Sequence, residues 1–324
     1  MALKFDDFGL FWRTMKAIVL LNRSAGTLKA MNDPQGHAVA DALSVAGIEA
    51  DIRLLPSSKI REAAHEAAAS NVDVVIAGGG DGTIGTVAGA LAGSQLPLGI
   101  LPLGTLNHFA KDLGIPLDLP GAAQVIGAGN IGSIDVGDLN GTVFINNSSL
   151  GVYPRAVLER DAQQSRHGLR KWTAMGLAIL KVFRRFPLVH VRLTTETESL
   201  VRKTPLVFVG NNRYEMNLFN VGKRACLNRG ELSLYIANTQ TRWGMVLLSL
   251  RALLGRLEQA RDFEVHCLSS CWIETRRHRL HVALDGEVRK LTPPLEYRVR
   301  AGALRVCLPV KVITEPSSNG DIRE

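Results

Sequence analysis

The segment that most restricts the fold of this chain is Val72–Gly85, with the sequence VDVVIAGGGDGTIG. Its first six residues are apolar except for one aspartate, as expected for a strand of a parallel sheet that is covered on both faces. Five glycines occupy the next eight positions, and a helix is predicted over Thr83–Ala92. A buried strand that enters a helix through such a loop is typical of an α/β sheet that binds a phosphate at the helix N-terminus.

The chain around this segment alternates between predicted strands and helices. Further strands are predicted at Lys16–Asn22, Ala50–Leu54 and Pro97–Leu101, and helices at about residues 35–47 and at Lys59–Ser70. This rhythm favours an open parallel sheet with helices on both faces. We therefore predict an α/β domain over residues 16–131.

The pattern changes after residue 131 to one of strands with few helices. Asn140-Gly141 is a strong hairpin signal between Ile131–Leu139 and Thr142–Asn146. Two helices are predicted, at Leu169–Arg185 and Trp243–Glu258. The remaining strands are predicted at Leu188–Thr195, Leu200–Val209, Glu231–Ala237, Phe263–Thr275, Leu280–Leu284, Glu296–Arg300 and Leu304–Leu308. We predict a β-rich, mostly antiparallel domain over 132–312, whose last strands could return to the first sheet, with tails at 1–15 and 315–324.

Composition and charge narrow the class of protein. Hydrophobic residues make up 46% of the 324 residues, and the four cysteines form no CxxC pair, which excludes a disulfide scaffold and disfavours a zinc ribbon. The acidic Asp6 and Asp7 do not fit a secretory signal, and we expect a cytoplasmic protein. The first 150 residues carry a net charge of −5 and the rest +13. A basic half suits nucleic acid, an anionic membrane or a phosphorylated substrate, but no aromatic-basic ladder indicates nucleic acid.

The glycine-rich loop carries the clearest chemical signal. Its glycines can adopt positive φ and let a ligand approach the backbone, and Thr83 can cap the helix or bind a phosphate oxygen. A carboxylate beside phosphates suggests that Asp81 holds Mg²⁺; a plain helix cap is the alternative. Gly80-x-Gly82-x-x-Gly85 also fits a dinucleotide fingerprint, but no acidic residue follows about 20 positions later.

Two motifs together resemble one known family. Gly79-Gly80-Asp81-Gly82-Thr83 is followed by Leu101–Ala110, LPLGTLNHFA, and the pair is similar to the diacylglycerol kinase catalytic domain family, which includes sphingosine and ceramide kinases. The first motif also occurs in NAD kinases and phosphofructokinases, so the second makes the resemblance specific. Phe144–Val152, Val209–Tyr214 and Asp285-Gly286-Glu287 continue the similarity, which covers about residues 16–310.

The resemblance implies a phosphofructokinase-like α/β domain, a β-sandwich, and ATP and lipid sites in the cleft between them. It implies Glu287 and Asp285 as catalytic carboxylates, together with Asp81, which would also contact the Mg²⁺ of ATP. The residues implied in nucleotide binding are Asn22, Gly78, Gly79, Gly80, Asp81, Gly82, Thr83, Gly104, Thr105 and Asn107.

The residue types alone do not show which carboxylate is the catalytic base. A lipid hydroxyl has a high pKa, so a carboxylate is the expected proton acceptor. Asp285 and Glu287 would point to opposite faces of a strand unless Gly286 forms a turn, and the tripeptide could equally be a simple hairpin turn.

Several points depart from the family pattern or stay open. Arg229 stands where many bacterial members have a magnesium-binding Asp, so we expect no structural metal there.

The helices Trp172–Arg185 and Trp243–Leu257 have basic flanks and are candidates for contact with a membrane, although core helices look the same. We expect a lipid substrate at a membrane surface and no nucleic acid, and a homodimer stays open. A soluble-substrate kinase of the NAD-kinase type and a non-catalytic regulator are the rival interpretations.

Overall fold

The structure is a computed structural model that describes residues 14–26, 36–155, 157–158, 188–195, 198–213, 227–239 and 262–310, together with positions 241, 243–245, 247 and 251. Its first half alternates strands and helices, as predicted. A 3-10 turn at Ser57–Lys59 precedes the second helix. The elements are β1 Met15–Asn22, α1 His37–Val45, β2 Ile48–Leu55, α2 Ile60–Ala68, β3 Val74–Gly79, α3 Asp81–Leu91, β4 Leu98–Pro102, α4 His108–Asp112 and α5 Leu119–Gly127.

Strands β1 to β4 form a parallel sheet in the order β2-β1-β3-β4. All six residues of β3 are buried, which agrees with the unbroken apolar pattern of its sequence. Helices α2 and α3 pack together, and α1 packs with α5. Right-handed crossovers place these two pairs on opposite faces of the sheet. The carboxyl ends of β1, β3 and β4 therefore meet at one edge, where open α/β sheets bind ligands.

The second half is a sandwich of two mostly antiparallel layers. One layer has the order β12-β11-β10-β7-β14-β15, and the other contains β9-β8-β13-β16 with β5 and β6 beside β16. Leu150, Val209 and Leu234 from the first layer pack against Ile273 and Tyr297 from the second. The strands are β5 Ile131–Leu139, β6 Thr142–Phe144, β7 Asn147–Gly151, β8 Val189–Thr194, β9 Ser199–Thr204, β10 Leu206–Asn211, β11 Leu232–Ala237, β12 Phe263–Leu268, β13 Ser270–Thr275, β14 Leu280–Leu284, β15 Glu287–Leu291 and β16 Leu295–Cys307.

The long strand β16 joins the two halves of the molecule. Its first residues pair with β13 of the sandwich, whereas Val306 pairs with Leu98 of the parallel sheet. Its pairing with β5 shifts register between Arg300 and Leu304, where Gly302 has φ 59°. The sequence predicted two separate strands here; the structure has one strand with a bulge, which bends it from one sheet into the other.

Two other strand predictions are wrong in the opposite direction. Each predicted one continuous strand where the structure has two strands, one in each layer. The predicted strand Leu200–Val209 is interrupted at Pro205, whose nitrogen carries no hydrogen to donate to a neighbouring strand. Beside this break, the Thr204 Oγ1 hydroxyl donates to the carbonyls of Leu206 and Ala237. Phe263–Thr275 divides at Ser269, between β12 and β13. The predicted Asn140-Gly141 turn is confirmed, with φ of 48° and 79° at its two residues.

Helices α4 and α5 were not predicted from the sequence. Asp118 caps α5 by accepting a hydrogen bond from the Gly121 N–H, and a proline lies in the first turn, so the signal for α5 was present. The predicted helix Leu169–Arg185 lies outside the described residues. Of the predicted helix Trp243–Glu258, residues 243–245, 247 and 251 are described and are helical. Within the described part of the chain, no helix is long and apolar enough to cross a membrane.

An ion pair connects the edges of the two sandwich layers and should make stability depend on pH. The Arg202 guanidinium on β9 donates from Nε and Nη2 to the Glu264 carboxylate on β12, at 2.7 and 2.9 Å. These hydrogen bonds hold the pKa of Glu264 below its ordinary value. A lowered folded-state pKa stabilises the fold above the unfolded-state pKa, and this contribution is lost as pH falls through the folded-state value. We expect Glu264→Gln to lower the free energy of unfolding by about 1 kcal/mol at pH 7 and by much less near pH 3.5, as measured by urea denaturation.

Glu62→Gln is the matched control for this prediction. Glu62 pairs with Lys59 at 2.8 Å on the exposed face of α2, where solvent weakens the pair. The Glu62 variant should unfold like the wild type at both pH values. An equal loss of stability for Glu264→Gln at pH 7 and pH 3.5 would contradict the ion-pair explanation.

Candidate active site

The glycine-rich segment runs from the end of β3 into the first turn of α3, and two of its glycines serve close packing. None of Gly78, Gly79, Gly80 and Gly82 has positive φ, so the expected conformational reason is wrong. A Cβ on Gly78 would overlap the Leu21 side chain, and one on Gly79 would lie 2.6 Å from Thr83 Oγ1. Close packing therefore requires glycine at positions 78 and 79, whereas a Cβ on Gly80 or Gly82 would meet its nearest neighbour at an ordinary distance of 3.5 or 3.6 Å.

A second loop packs directly on the first. A Cβ on Gly104 would overlap Gly80 Cα and lie 2.8 Å from Asn107 Oδ1. Asn107 is buried with φ 51°; its Oδ1 accepts from the Gly104 N–H, and its Nδ2 donates to the carbonyls of Pro102 and Gly104. Asn107 thus holds the shape of this loop, whereas Thr105 is exposed. Both remain predicted nucleotide contacts.

Asn22, at the end of β1, connects three loops at the same edge. Its Nδ2 donates to Thr83 Oγ1 at 2.9 Å, and its Oδ1 accepts from the Ser24 N–H and from Ser57 Oγ. Ser57, which follows β2, therefore also lies at this edge. The predicted nucleotide-binding residues at the ends of β1, β3 and β4 therefore lie close together.

Asp81 has a role that the sequence did not reveal. Its carboxylate accepts hydrogen bonds from the backbone N–H groups of His108 and Phe109, at 3.2 and 3.0 Å. It therefore caps α4, the helix that follows the second loop, rather than its own helix. Each carboxylate oxygen still has a lone pair, so Asp81 can also contact a cation that arrives with a nucleotide.

The donor groups fit a magnesium ion that is shared with phosphates rather than one held by protein alone. Among the described residues, no three His, Cys, Asp or Glu side chains cluster closely enough to form a metal site. Mg²⁺ usually keeps several waters and binds through one or two carboxylates plus substrate phosphates. Asp81 at the glycine-rich loop is compatible with that arrangement.

Asp285 and Gly286 form the tight turn between β14 and β15, with φ of 47° and 87°. The Asp285 carboxylate accepts three backbone hydrogen bonds, from the N–H groups of Ile145, Asn146 and Asn147, at 2.8 to 3.1 Å. It therefore ties the β14–β15 turn to the loop between β6 and β7. The tripeptide is a hairpin turn, as one of the two alternatives predicted.

Glu287 follows this turn and faces the opposite half of the molecule. Its side chain is 58% exposed, and its Oε1 lies 3.6 Å from the position that a Cβ on Gly82 would occupy. Arg289 Nη2 lies 3.6 Å from Glu287 Oε2. The turn thus separates the two carboxylates: Asp285 is bound by the backbone, and Glu287 points at the start of α3.

A cleft separates the α/β half from the sandwich beside Glu287. Three basic or ionisable side chains that the sequence analysis missed, Arg61 and His65 on α2 and Arg289 on β15, line it. Arg61 and His65 are four residues apart, and this spacing was the available signal. The other residues that line the cleft are Gly82, Gly85, Thr86, Gly89, Gly141, Thr142, Val143, Leu284, Asp285 and Glu287.

Asp135 contacts Gly230, the neighbour of Arg229, at whose position the sequence predicted no structural metal. It is 2% exposed, and its carboxylate accepts hydrogen bonds from Asn212 Nδ2 and from the backbone N–H groups of Gly230 and Gly302. The Arg229 N–H donates to Asn212 Oδ1. Protein donors therefore bind this buried carboxylate directly, and Arg229 offers no metal-ligating oxygen from its side chain.

Comparison with known proteins gives the family. Residues 16–139 match the family model described as the diacylglycerol kinase catalytic domain. A protein named "Probable lipid kinase YegS-like" from Klebsiella pneumoniae is 42% identical over 266 residues, which cover 80% of this chain and 86% of that protein. The chain therefore belongs to the lipid kinase family of the diacylglycerol kinase catalytic domain, and the resemblance drawn from its motifs is confirmed.

The similarity to YegS-like lipid kinases extends over nearly the whole chain. A Pseudomonas aeruginosa protein of the same name is 31% identical over 299 residues, covering 90% of this chain and 93% of that protein. The crystal structure of a diacylglycerol kinase from Bacillus anthracis str. Sterne matches 93% of this chain and 99% of its own, with a TM-score of 0.65 and 20% identity. The predicted combination of an α/β domain and a β-sandwich is thereby confirmed.

Proposed function

We propose that this protein transfers the γ-phosphate of ATP to the hydroxyl of a lipid, with a diacylglycerol-like acceptor, and that it requires Mg²⁺. One observation carries the proposal: the Glu287 carboxylate lies across the cleft from the first turn of α3, 3.6 Å from the Cβ position of Gly82. A proton acceptor is thus next to the helix end that suits phosphate. The family to which the chain belongs supports both the lipid acceptor and the nucleotide donor.

In the proposed reaction, each group has a role that its position supports. The N–H groups of Asp81 and Gly82 precede the first hydrogen bonds of α3, which the Thr83 and Ile84 N–H groups donate to the Gly80 carbonyl, and they can bind phosphate oxygens. Glu287 accepts the proton of the lipid hydroxyl as that oxygen attacks the γ-phosphorus, while the bond from the γ-phosphorus to the β–γ bridging oxygen breaks and ADP leaves. Mg²⁺, when bound, neutralises charge on the phosphates. Arg61, His65 and Arg289 line the same cleft and can neutralise charge on the transferred phosphoryl group.

The proposal is tested by the transfer of label from γ-labelled ATP to lipids in non-ionic micelles. The panel contains diacylglycerol, ceramide, a sphingoid base and a glycerophospholipid with a free hydroxyl, and NAD serves as the soluble acceptor. We expect one labelled lipid, in a reaction that stops when Mg²⁺ is chelated. A folded protein that labels NAD alone, or nothing, would show that the proposed function is wrong.

A further inference from the structure

One face of α3 lies against the sandwich half of the molecule. A Cβ added to any of three glycines on this face would lie within 4 Å of a side chain of the other half: Gly82 from Glu287, Gly85 from Asp285 and Gly89 from Val143. These glycines are three and four residues apart, so they lie along one side of the helix. The next position on the same side is Ala92, which directly follows the last residue of α3. This side of α3 is therefore one wall of the cleft.

The β5–β6 hairpin forms the facing wall, and a buried carboxylate holds its turn. Gly141, Thr142 and Val143 of the hairpin line the cleft. The Asp138 side chain is 4% exposed and accepts a hydrogen bond from the Gly141 N–H at 2.8 Å. Asp138 lies directly opposite Val143 in the β5–β6 ladder, so both side chains project from the face of the hairpin that meets α3. The position of Asp138 is therefore coupled to the position of this wall.

Two arginines of β16 approach Asp138, and one of them reaches α3 as well. Arg298 Nε lies 3.8 Å from Asp138 Oδ1, and Arg300 Nη1 lies 3.9 Å from Asp138 Oδ2. Arg300 Nη2 also donates a hydrogen bond to the Ala92 carbonyl at 3.2 Å. The carbonyls at the C-terminal end of a helix lack intrahelical donors, and a cation is favourable there. Two nitrogens of the Arg300 guanidinium thus contact opposite walls of the cleft.

We propose that Arg300 is a positioning residue, which fixes the separation of α3 from the β5–β6 hairpin by binding the Ala92 carbonyl and the Asp138 carboxylate together. The guanidinium suits this role because it is planar and its nitrogens stay a fixed distance apart. Among the described residues, Arg298 approaches the same carboxylate but makes no hydrogen bond with α3. The two arginines therefore supply the same charge beside Asp138 and differ in the contact with the helix.

The position of the catalytic carboxylate depends on this connection through a chain of contacts around the cleft. At the N-terminal end of α3, Glu287 approaches Gly82, and Asp285 connects the turn before Glu287 to the loop that follows β6. Strand β6 pairs with β5, which carries Asp138, and Arg300 connects Asp138 to the C-terminal end of α3. Without Arg300 the walls can separate, and Glu287 then moves relative to a phosphate at the first turn of α3. This role in catalysis rests on the proposed function, which assigns Glu287 as the base.

The kinetic test compares Arg300→Gln with its matched control, Arg298→Gln. Each variant removes one positive charge beside Asp138, but Arg300→Gln also shortens the side chain that reaches the Ala92 carbonyl. We expect Arg300→Gln to lower kcat for label transfer about tenfold while the Kd of ATP stays the same, because the geometry of transfer is disturbed and nucleotide binding is not. Arg298→Gln should have the kcat of the wild type.

Arg300→Lys separates geometry from charge. Lysine keeps a positive charge beside Asp138 and should fold like the wild type, but one nitrogen replaces the two that contact opposite walls. This variant should transfer label about as slowly as Arg300→Gln. Full activity of Arg300→Lys would show that charge beside Asp138 is sufficient and would overturn the inference. An equal loss of activity in Arg298→Gln and Arg300→Gln would overturn it for the same reason.

Amide hydrogen exchange provides a readout that does not depend on phosphoryl transfer. It is followed by mass spectrometry on the full chain without nucleotide. In Arg300→Gln we expect residues 89–94 and 139–144 to exchange about fivefold faster than in the wild type, because both walls lose a contact that holds them. Arg298→Gln should keep wild-type exchange at residues 89–94, since Arg298 does not reach α3. Wild-type exchange of both segments in Arg300→Gln would contradict the connection between the walls.

These outcomes are separable from those of the kinase assay. A wild type that labels no lipid contradicts the proposed function, and the exchange comparison still decides whether Arg300 connects the two walls. A wild type that labels lipid, beside an Arg300→Gln variant that is equally active and exchanges equally slowly, contradicts the role of Arg300 and leaves the proposed function intact.

Discussion

Replacing Glu287 by Gln should reduce the rate of lipid phosphorylation by about 10²- to 10⁴-fold, the range that a positioned general base contributes. Glutamine keeps the size and hydrogen-bonding shape of the side chain but cannot accept the hydroxyl proton. The Glu287 side chain is exposed, and in the described structure its carboxylate accepts no backbone hydrogen bond, so the variant should fold normally. The measurement is the initial rate of label transfer, together with a binding curve for ATP.

The matched control is Glu274→Gln. Glu274 is another exposed glutamate on a sandwich strand, with an arginine partner at 3.8 Å, but it is remote from the cleft. Its variant should transfer label at the wild-type rate. Nearly full activity of Glu287→Gln would remove the base from the proposed mechanism, and a large loss of ATP affinity would show that the carboxylate acts in nucleotide binding instead.

The sequence predicted the parallel half of the fold well, because its signals are local. Residues 72–77 are almost all apolar, and such a pattern fits a strand buried on both faces. The Asn140-Gly141 turn was equally readable, since few dipeptides adopt positive φ at both positions. The sandwich strands were less accurate at their ends: whether a strand stops at Pro205 or continues through Gly302 depends on which layer its neighbours occupy.

The candidate site was likewise predicted only in part. The sequence motifs identified Asp81, Thr83 and Glu287 as candidate site residues. The spacing of these residues along the chain does not show which groups they contact in the fold. Asp81 caps a helix that begins 27 residues later, and Asp285 binds N–H groups about 140 residues earlier. Arg61, His65 and Arg289 were not predicted, because the four-residue spacing of the first two, like a basic side chain on an edge strand, does not distinguish a site from an ordinary surface.

Replacing Asp285 by Ala should lower the free energy of unfolding by about 3 kcal/mol and reduce activity about 100-fold. The substitution removes the acceptor of three partly buried backbone hydrogen bonds, from the N–H groups of Ile145, Asn146 and Asn147. It also places alanine at φ 47°, which a side chain without a hydrogen-bonding group rarely adopts. The β14–β15 turn would then no longer be tied to the β6–β7 loop, and Glu287 would lose its position opposite Gly82.

Asp285→Asn distinguishes this positioning role from a catalytic one. Asparagine tolerates positive φ, and its Oδ1 can still accept from Asn146 and Asn147, so of these three backbone bonds the one from Ile145 is lost. Stability and activity should therefore both fall between those of the wild type and Asp285→Ala, as followed by urea denaturation and label transfer. If Asp285 were the base, Asp285→Asn would instead be as inactive as Glu287→Gln and nearly as stable as the wild type. Parallel losses of stability and activity across the two Asp285 variants would assign phosphoryl transfer to Glu287 and the shape of the turn to Asp285.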